Sequence, residues 1–137
     1  FQPDDIFINA DREKITQVVS NLIANSIKFT QEGTITVMTR RNETTNQAIV
    51  TITDSGQGIH QEVLPKLFTK FVTKSNNGTG IGLYISKKII EAHGGKLSGQ
   101  NNPEGRGATF SFSLPMQHEG HDEIETPLGS PSANSDA

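Results

Sequence analysis

The chain has 137 residues, no cysteine and a formal net charge of −3. That length fits one domain with a single core, and the lack of cysteine excludes a disulfide framework or a thiolate metal site. No apolar run approaches the ~20 residues of a membrane span, no signal-peptide pattern opens the chain, and Lys and Arg nowhere cluster as they would on a nucleic-acid surface.

The charge is unevenly spread. Residues 1–115 carry all twelve Lys and Arg against ten acids, while residues 116–137 carry five acids and no Lys or Arg. A weakly basic body suits a small anionic ligand. The acidic stretch, "MQHEGHDEIETPLGSPSANSDA", is rich in Ser, Pro and Gly and has few large apolar residues. Its composition predicts a disordered tail over 116–137, leaving 1–115 as the folding domain.

In chain order, "FQPDDIFINAD" predicts a short strand at Ile6–Asn9 and places Asp11 as a helix N-cap. The helix that follows runs to about Phe29, with Ile15, Val18, Val19, Leu22 and Ile23 forming one apolar stripe. "TITVMTRR" (34–41) and "QAIVTITD" (47–54) alternate at period two around the polar "NETTN", which predicts a hairpin. "HQEVLPKLFTKF" starts a helical turn or two that Pro65 disturbs, and "VTKSNNG" reads as loop. A second helix spans Gly80 to His93 and ends on "HGG", whose glycines supply a left-handed cap. "KLSGQN" and "GATFSFSLP" are two further strands. The order β-α-β-β-α-α-β-β predicts an α+β fold, a two-layer sandwich with helices on one face of a mixed, mostly antiparallel sheet.

Three motifs carry chemistry. Gly78, Gly80 and Gly82 fall at alternate positions ahead of the second helix. They are not a dinucleotide fingerprint, because Leu83 and Ile85 stand where the third glycine would be, and no Gly-Lys-Ser/Thr triplet makes a P-loop. Glycines still let backbone amides approach an anion, and a helix start adds its positive dipole end. Asn21, Asn25 and Lys28 share a helix face away from the apolar stripe. Carboxamide oxygens suit a hard cation such as Mg²⁺, and a lysine suits phosphate. "TDSGQGI" ends a strand on Asp54 with Gly56 and Gly58 after it, so that a carboxylate could accept from an exocyclic amine such as adenine's; the same letters also make a plain turn.

Together, "NLIANSIKFT", "DSGQGI", "LFTKF" and "GTGIGL" resemble, in this order, the N, G1, F and G2 boxes of sensor histidine kinases. These kinases share a Bergerat-type ATP-binding fold with gyrase and Hsp90. The resemblance covers about residues 5–115 and implies ATP and Mg²⁺ as ligands. It implies that Asn25 binds the metal and that Asn21 lines the catalytic site where hydrolytic cousins carry a glutamate. It places Lys28 at the phosphates, Phe29 by the adenine ring, and Asp54 on the adenine amine. Gly56, Gly58 and Ile59 become the pocket wall, and Gly78, Thr79, Gly80, Gly82 and Leu83 the phosphate loop. Thr109 falls near the ring edge. Lys70, between Phe68 and Phe71, becomes a catalytic cation where the family often has arginine, and the two phenylalanines become anchors for a flexible lid. None of His60, His93, His118 or His121 fits the family's acceptor motif. The resemblance therefore implies an excised catalytic domain, itself monomeric, cut from a homodimeric parent that carries the acceptor histidine on a separate dimerisation domain. It also implies a response regulator receiver domain as partner, no nucleic acid, and a cytoplasmic position whether or not the parent is membrane-anchored. The alternatives are a hydrolytic ATPase of the gyrase or chaperone type, which Asn21 disfavours, and a degenerate nucleotide-sensing module.

Overall fold

The computed structural model describes residues 5–70 and 81–117. These form α1 (Arg12–Lys28), β1 (Ile35–Asn42), β2 (Gln47–Asp54), a single 3-10 turn (Leu64–Lys66), α2 (Gly82–Ala92), β3 (Lys96–Asn101) and β4 (Ala108–Pro115). The chain divides into two units, Ala10–Pro115 and a smaller one made of Phe1–Asn9 with Met116–Ala137. In the smaller unit the strand predicted at Ile6–Asn9 is reduced to one antiparallel bridge, Ile8 with Met116. There the Gln117 amide donates to the Phe7 carbonyl at 2.6 Å, so pairing reaches the first residues of the predicted tail. Residues 118–137 lie outside the described residues.

In the larger unit the sheet order is β1-β2-β4-β3. Every strand pair among the described residues is antiparallel, where the sequence led us to expect some parallel pairing. The β1–β2 hairpin closes over residues 43–46, with Asn42 Oδ1 accepting from the Thr44 and Thr45 amides and Asn46 at φ 56°. Period-two alternation buries Ala48 and Ile52 of β2 and Ala108, Phe110, Phe112 and Leu114 of β4 against the helices. The other face is polar, with hydroxyl pairs Thr51–Ser111 and Thr53–Thr109 both at 3.1 Å. Val18 and Leu22 of α1, Ile89 and Ile90 of α2, Leu97 of β3 and the connecting Leu67 complete the core. Burying a side chain of this size contributes about 1.5–3 kcal/mol, so the alternation itself decides which face the helices cover.

α1 starts where the sequence places it, with the Asp11 side chain accepting from the Lys14 amide at 3.2 Å. α2 ends at His93, and Gly94 turns the chain at φ +84°, a conformation that suits a residue without Cβ. Two polar staples join the helices. Asn21 Nδ2 donates to the Gly82 carbonyl at 3.5 Å and to Ser86 Oγ at 3.3 Å. At the other end, His93 Nε2 accepts the Asp11 amide at 3.1 Å, while its Nδ1 lies 2.8 Å from the Ile89 carbonyl. A carbonyl only accepts and an amide only donates, so the two bonds suit an imidazole that carries its hydrogen on Nδ1. The staples run from Asp11 to the end of α2 and from Asn21 to its start. The helices are therefore antiparallel, and the N-terminus of α2 is held beside the amide face of α1.

Candidate nucleotide-binding site

The site is built where β2 runs out. Asp54 shares the parity of Ile52, so its side chain points into the layer between sheet and helices and is 4% exposed. A carboxylate taken out of water needs donors. Asp54 Oδ1 accepts from the Gly56 amide at 2.9 Å and the Ala108 amide at 3.2 Å, charge-assisted bonds that hold the group in one orientation. No hydrogen bond from the described residues reaches its Oδ2, which leaves one oxygen of a fixed carboxylate to accept from a ligand amine.

The turn after Asp54 is laced to the end of α1. The Gln57 amide donates to the Phe29 carbonyl at 3.2 Å. Gly56 passes so close that an added Cβ would lie 2.1 Å from the Phe29 oxygen, which excludes any other residue without moving backbone. Gly58 turns at φ +85°. Ile59 is clasped on both sides by Asn101, whose Oδ1 accepts the Ile59 amide at 2.6 Å and whose Nδ2 donates to the Ile59 carbonyl at 3.0 Å. Asn102 donates from Nδ2 to the Asp54 carbonyl at 2.9 Å and to the Arg106 carbonyl at 2.8 Å. Sequence reasoning passed over this asparagine pair. Its signal is two adjacent carboxamides at a strand end, next to the turn that leads into β4.

The expected contribution of Thr109 is corrected by the sheet. Thr109 pairs with Thr53, Oγ1 to Oγ1 at 3.1 Å, and donates to Asn102 Oδ1 at 2.6 Å. Successive strand residues face opposite ways, so Thr53 and Thr109 lie on the side of the sheet away from the Asp54 carboxylate. The β4 residue at that carboxylate is Ala108, through its amide.

The residues expected at the phosphates that the structure describes lie on or beside the helices. Asn21 is half-buried, and its amide nitrogen braces α2. Asn25, one turn on, is half-buried too, and no hydrogen bond engages its side chain among the described residues. Lys28 is exposed, with Nζ 5.2 Å from the centre of the half-buried Phe29 ring. Gly82 and Leu83 form the first turn of α2, which no side chain caps among the described residues. Its leading amides are thus available to an anion. Lys70 is exposed, with Nζ 5.0 Å from the Tyr84 ring, and so reaches that same first turn. Phe68 packs edge-on to Phe110 at 6.5 Å, which makes it an anchor on the core of its own domain. Gly78, Thr79, Gly80 and Phe71 lie outside the described residues.

A pinned carboxylate at a sheet end, an amide-bearing helix and an uncapped helix N-terminus define an ATP-binding domain of the α+β class. The family model of histidine kinase-, DNA gyrase B-, and HSP90-like ATPases matches residues 10–118, and the chain belongs to that family. It is 36% identical over 129 residues to sensor histidine kinase WalK of Bacillus subtilis, covering 88% of this chain and 21% of that protein. Over 110 residues it is 42% identical to sensor histidine kinase ZraS of Salmonella typhi, covering 80% of this chain and 23% of that protein. The chain thus spans under a quarter of either relative. Among solved structures, the mycobacterial sensor histidine kinase MprB superposes with a TM-score of 0.74 at 26% identity, covering 80% of this chain and 77% of that one. The catalytic domain of histidine kinase ThkA superposes with a TM-score of 0.69 at 37% identity, covering 79% of this chain and 70% of that one. Within the family, the chain is a catalytic, ATP-binding domain of the sensor histidine kinase kind.

Proposed function

We propose that this domain binds Mg-ATP between α1, the end of β2 and the start of α2, and passes the γ-phosphoryl group to a histidine on a separate, dimerising domain. In that step the bond from γ-phosphorus to the ADP oxygen breaks and a bond to an imidazole nitrogen forms. Asp54 Oδ2 would accept from the adenine amine, while Gly56, Gly58, Ile59 and Phe29 shape the base pocket. The first turn of α2, Lys28 and the 78–80 glycine loop would hold the phosphates. Lys70, which reaches that turn through Tyr84, would oppose charge developing on the transferring group.

The residues present fit a magnesium ion. Among the described residues no group of three or more His, Cys, Asp or Glu could hold a metal. Asn25 instead offers one unengaged carboxamide, the sparse donor set of a hard cation that takes its other ligands from phosphates and water. Asn25 would hold the cation there, and the cation would supply neutralisation of phosphate charge.

The observation that carries transfer over hydrolysis is Asn21. It stands where the hydrolytic reading needs a base, yet it is an amide whose nitrogen is spent on Gly82 and Ser86. In this reading it acts as a positioning residue. ThkA has been solved in complex with response regulator protein TrrA, with 35% identity to this chain and a TM-score of 0.67. We propose a receiver domain as the downstream partner here too, in a cytoplasmic setting. No helix among the described residues is long and apolar enough to cross a membrane.

The deciding experiment supplies γ-labelled ATP, Mg²⁺ and a separate acceptor-helix domain. Label is expected on the acceptor histidine, as an acid-labile adduct, and not on this chain. Rapid release of inorganic phosphate without any acceptor would favour the hydrolytic reading.

A further inference from the structure

The segment that ends at Lys70 is fastened to α2 at two points. Phe68, edge-on to Phe110 of the core, carries Lys87 Nζ 5.7 Å from its ring centre. Two residues on, Lys70 Nζ lies 5.0 Å from the centre of the Tyr84 ring. Phe68 thus meets the middle of α2 and Lys70 its first turn, so the segment runs toward the helix start. Core packing holds the backbone at Phe68, and a ring on α2 holds the charge two residues later.

The lysines of these two contacts are held differently. Lys87 also pairs with Glu91 Oε2 at 3.9 Å, one helical turn on. No carboxylate among the described residues pairs with Lys70. An ion pair spends a lysine's charge on its partner, whereas a ring attracts an ammonium through its quadrupole and carries no net charge. Lys70 is therefore localised with its charge intact. Tyr84 is half-buried, and a helical side chain leans toward the N-terminus of its helix. Its ring therefore leans toward the end of α2 that no described side chain caps.

We propose that Tyr84 is a positioning residue for phosphoryl transfer: its ring holds the Lys70 ammonium, unneutralised, beside the start of α2, where it opposes charge on the transferring group. This rests on the reading of Lys70 as the cation that does so. Lys88, one turn beyond Tyr84, also lies at the ring, with Nζ 5.6 Å from its centre. Two like charges at one ring repel each other, so Lys88 loosens the hold on Lys70 and has no part in making it.

The test is single-turnover transfer from γ-labelled ATP to a saturating, separate acceptor-helix domain, with ATP affinity read by calorimetry. Tyr84→Leu should slow transfer about two- to fivefold, the weight of an exposed cation–π contact. Its ATP dissociation constant and its half-saturation by the acceptor should match the parent's. Tyr84→Phe and Tyr84→Trp keep a ring and should transfer at the parent rate, a rescue that mere space-filling would not require. Leucine and methionine are both good helix formers, so Tyr84→Met should repeat the loss and guards against a defect peculiar to leucine. Lys70→Met should slow transfer at least as much, and adding Tyr84→Leu to it should cost nothing further. Lys88→Gln should not slow transfer. Parent-rate transfer in Tyr84→Leu beside a slow Lys70→Met would overturn the proposal. So would losses that add in the double variant, or a Lys88→Gln as slow as Tyr84→Leu. Parent-rate transfer in Lys70→Met would instead overturn the reading of Lys70 beneath it.

Discussion

The two ends of the site are made differently. At the proposed base end, Asp54 is tied to Gly56, Ala108 and Asn102, and Asn101 clasps Ile59, all through backbone, carboxylate and carboxamide groups. At the proposed phosphate end, among the described residues, Asn25 makes no side-chain bond, Lys28 and Lys70 rest on aromatic faces, and no side chain caps the first turn of α2. The base end is preorganised, so recognition there costs little reordering. The phosphate end is a set of unspent donors and charges that a polyanion with its cation would complete. Substitutions at the first end should therefore affect folding and affinity together, and those at the second affinity alone.

The largest effect expected is from Asp54→Asn. The asparagine oxygen can keep the Gly56 and Ala108 amides, but its NH₂ then faces the ligand amine as a second donor. Losing a hydrogen bond to a charged group is worth about 1.5–3 kcal/mol, so ATP affinity should fall roughly ten- to a hundredfold by calorimetry. Native-like affinity would mean the base is read elsewhere. Next comes Gly56→Ala, whose methyl would meet backbone 2.1 Å away. Overpacking of this kind costs about 1–3 kcal/mol, so the melting temperature should drop by several degrees and ATP binding should weaken with it. A stable Gly56→Ala variant with unaltered affinity would show that the base end is less rigid than its hydrogen bonds imply.

Asn25→Ala tests the other end. With a half-buried, unbonded side chain, its loss should leave ligand-free stability within about 0.5 kcal/mol. The Mg²⁺ enhancement of ATP binding should fall, read as the ratio of dissociation constants with and without the ion. A variant that melts much earlier without ligand would place Asn25 in the fold, and the contrast between the two ends would fail.

Much of this was legible in the chain. The bounds of β2 and β3 follow from alternation stopped by turn residues, and α1 begins at the capping carboxylate read from "NAD". The site letters could be matched to a family in order, yet order says nothing about facing. The predicted first strand survives as one bridge, and its partner there, Met116, is a residue that composition alone places in the tail. The clasp of Asn101 on Ile59 joins residues far apart in sequence, and the two adjacent carboxamides that signal it do not name their partner.

The smallest effect on ATP binding is expected from Thr109→Val, and it bears on how the sheet sets the site. Motif order brought Thr109 to the ring edge, but parity was available in the same letters. Phe110 and Phe112 must face the core, so Ala108 shares their side and Thr109 does not. Valine keeps the shape and favours strand, but it loses the bonds to Thr53 and Asn102. A net hydrogen bond is worth about 1 kcal/mol, and Asn102 keeps its own bonds to the Asp54 and Arg106 carbonyls. Stability should therefore fall by about 1–2 kcal/mol in denaturant titration, while ATP affinity changes less than about twofold. If Thr109→Val instead weakened ATP tenfold at unchanged stability, the hydroxyl would be reaching the ligand. The face assignment of β4, and with it the placement of Asp54 against the helices, would then need redrawing.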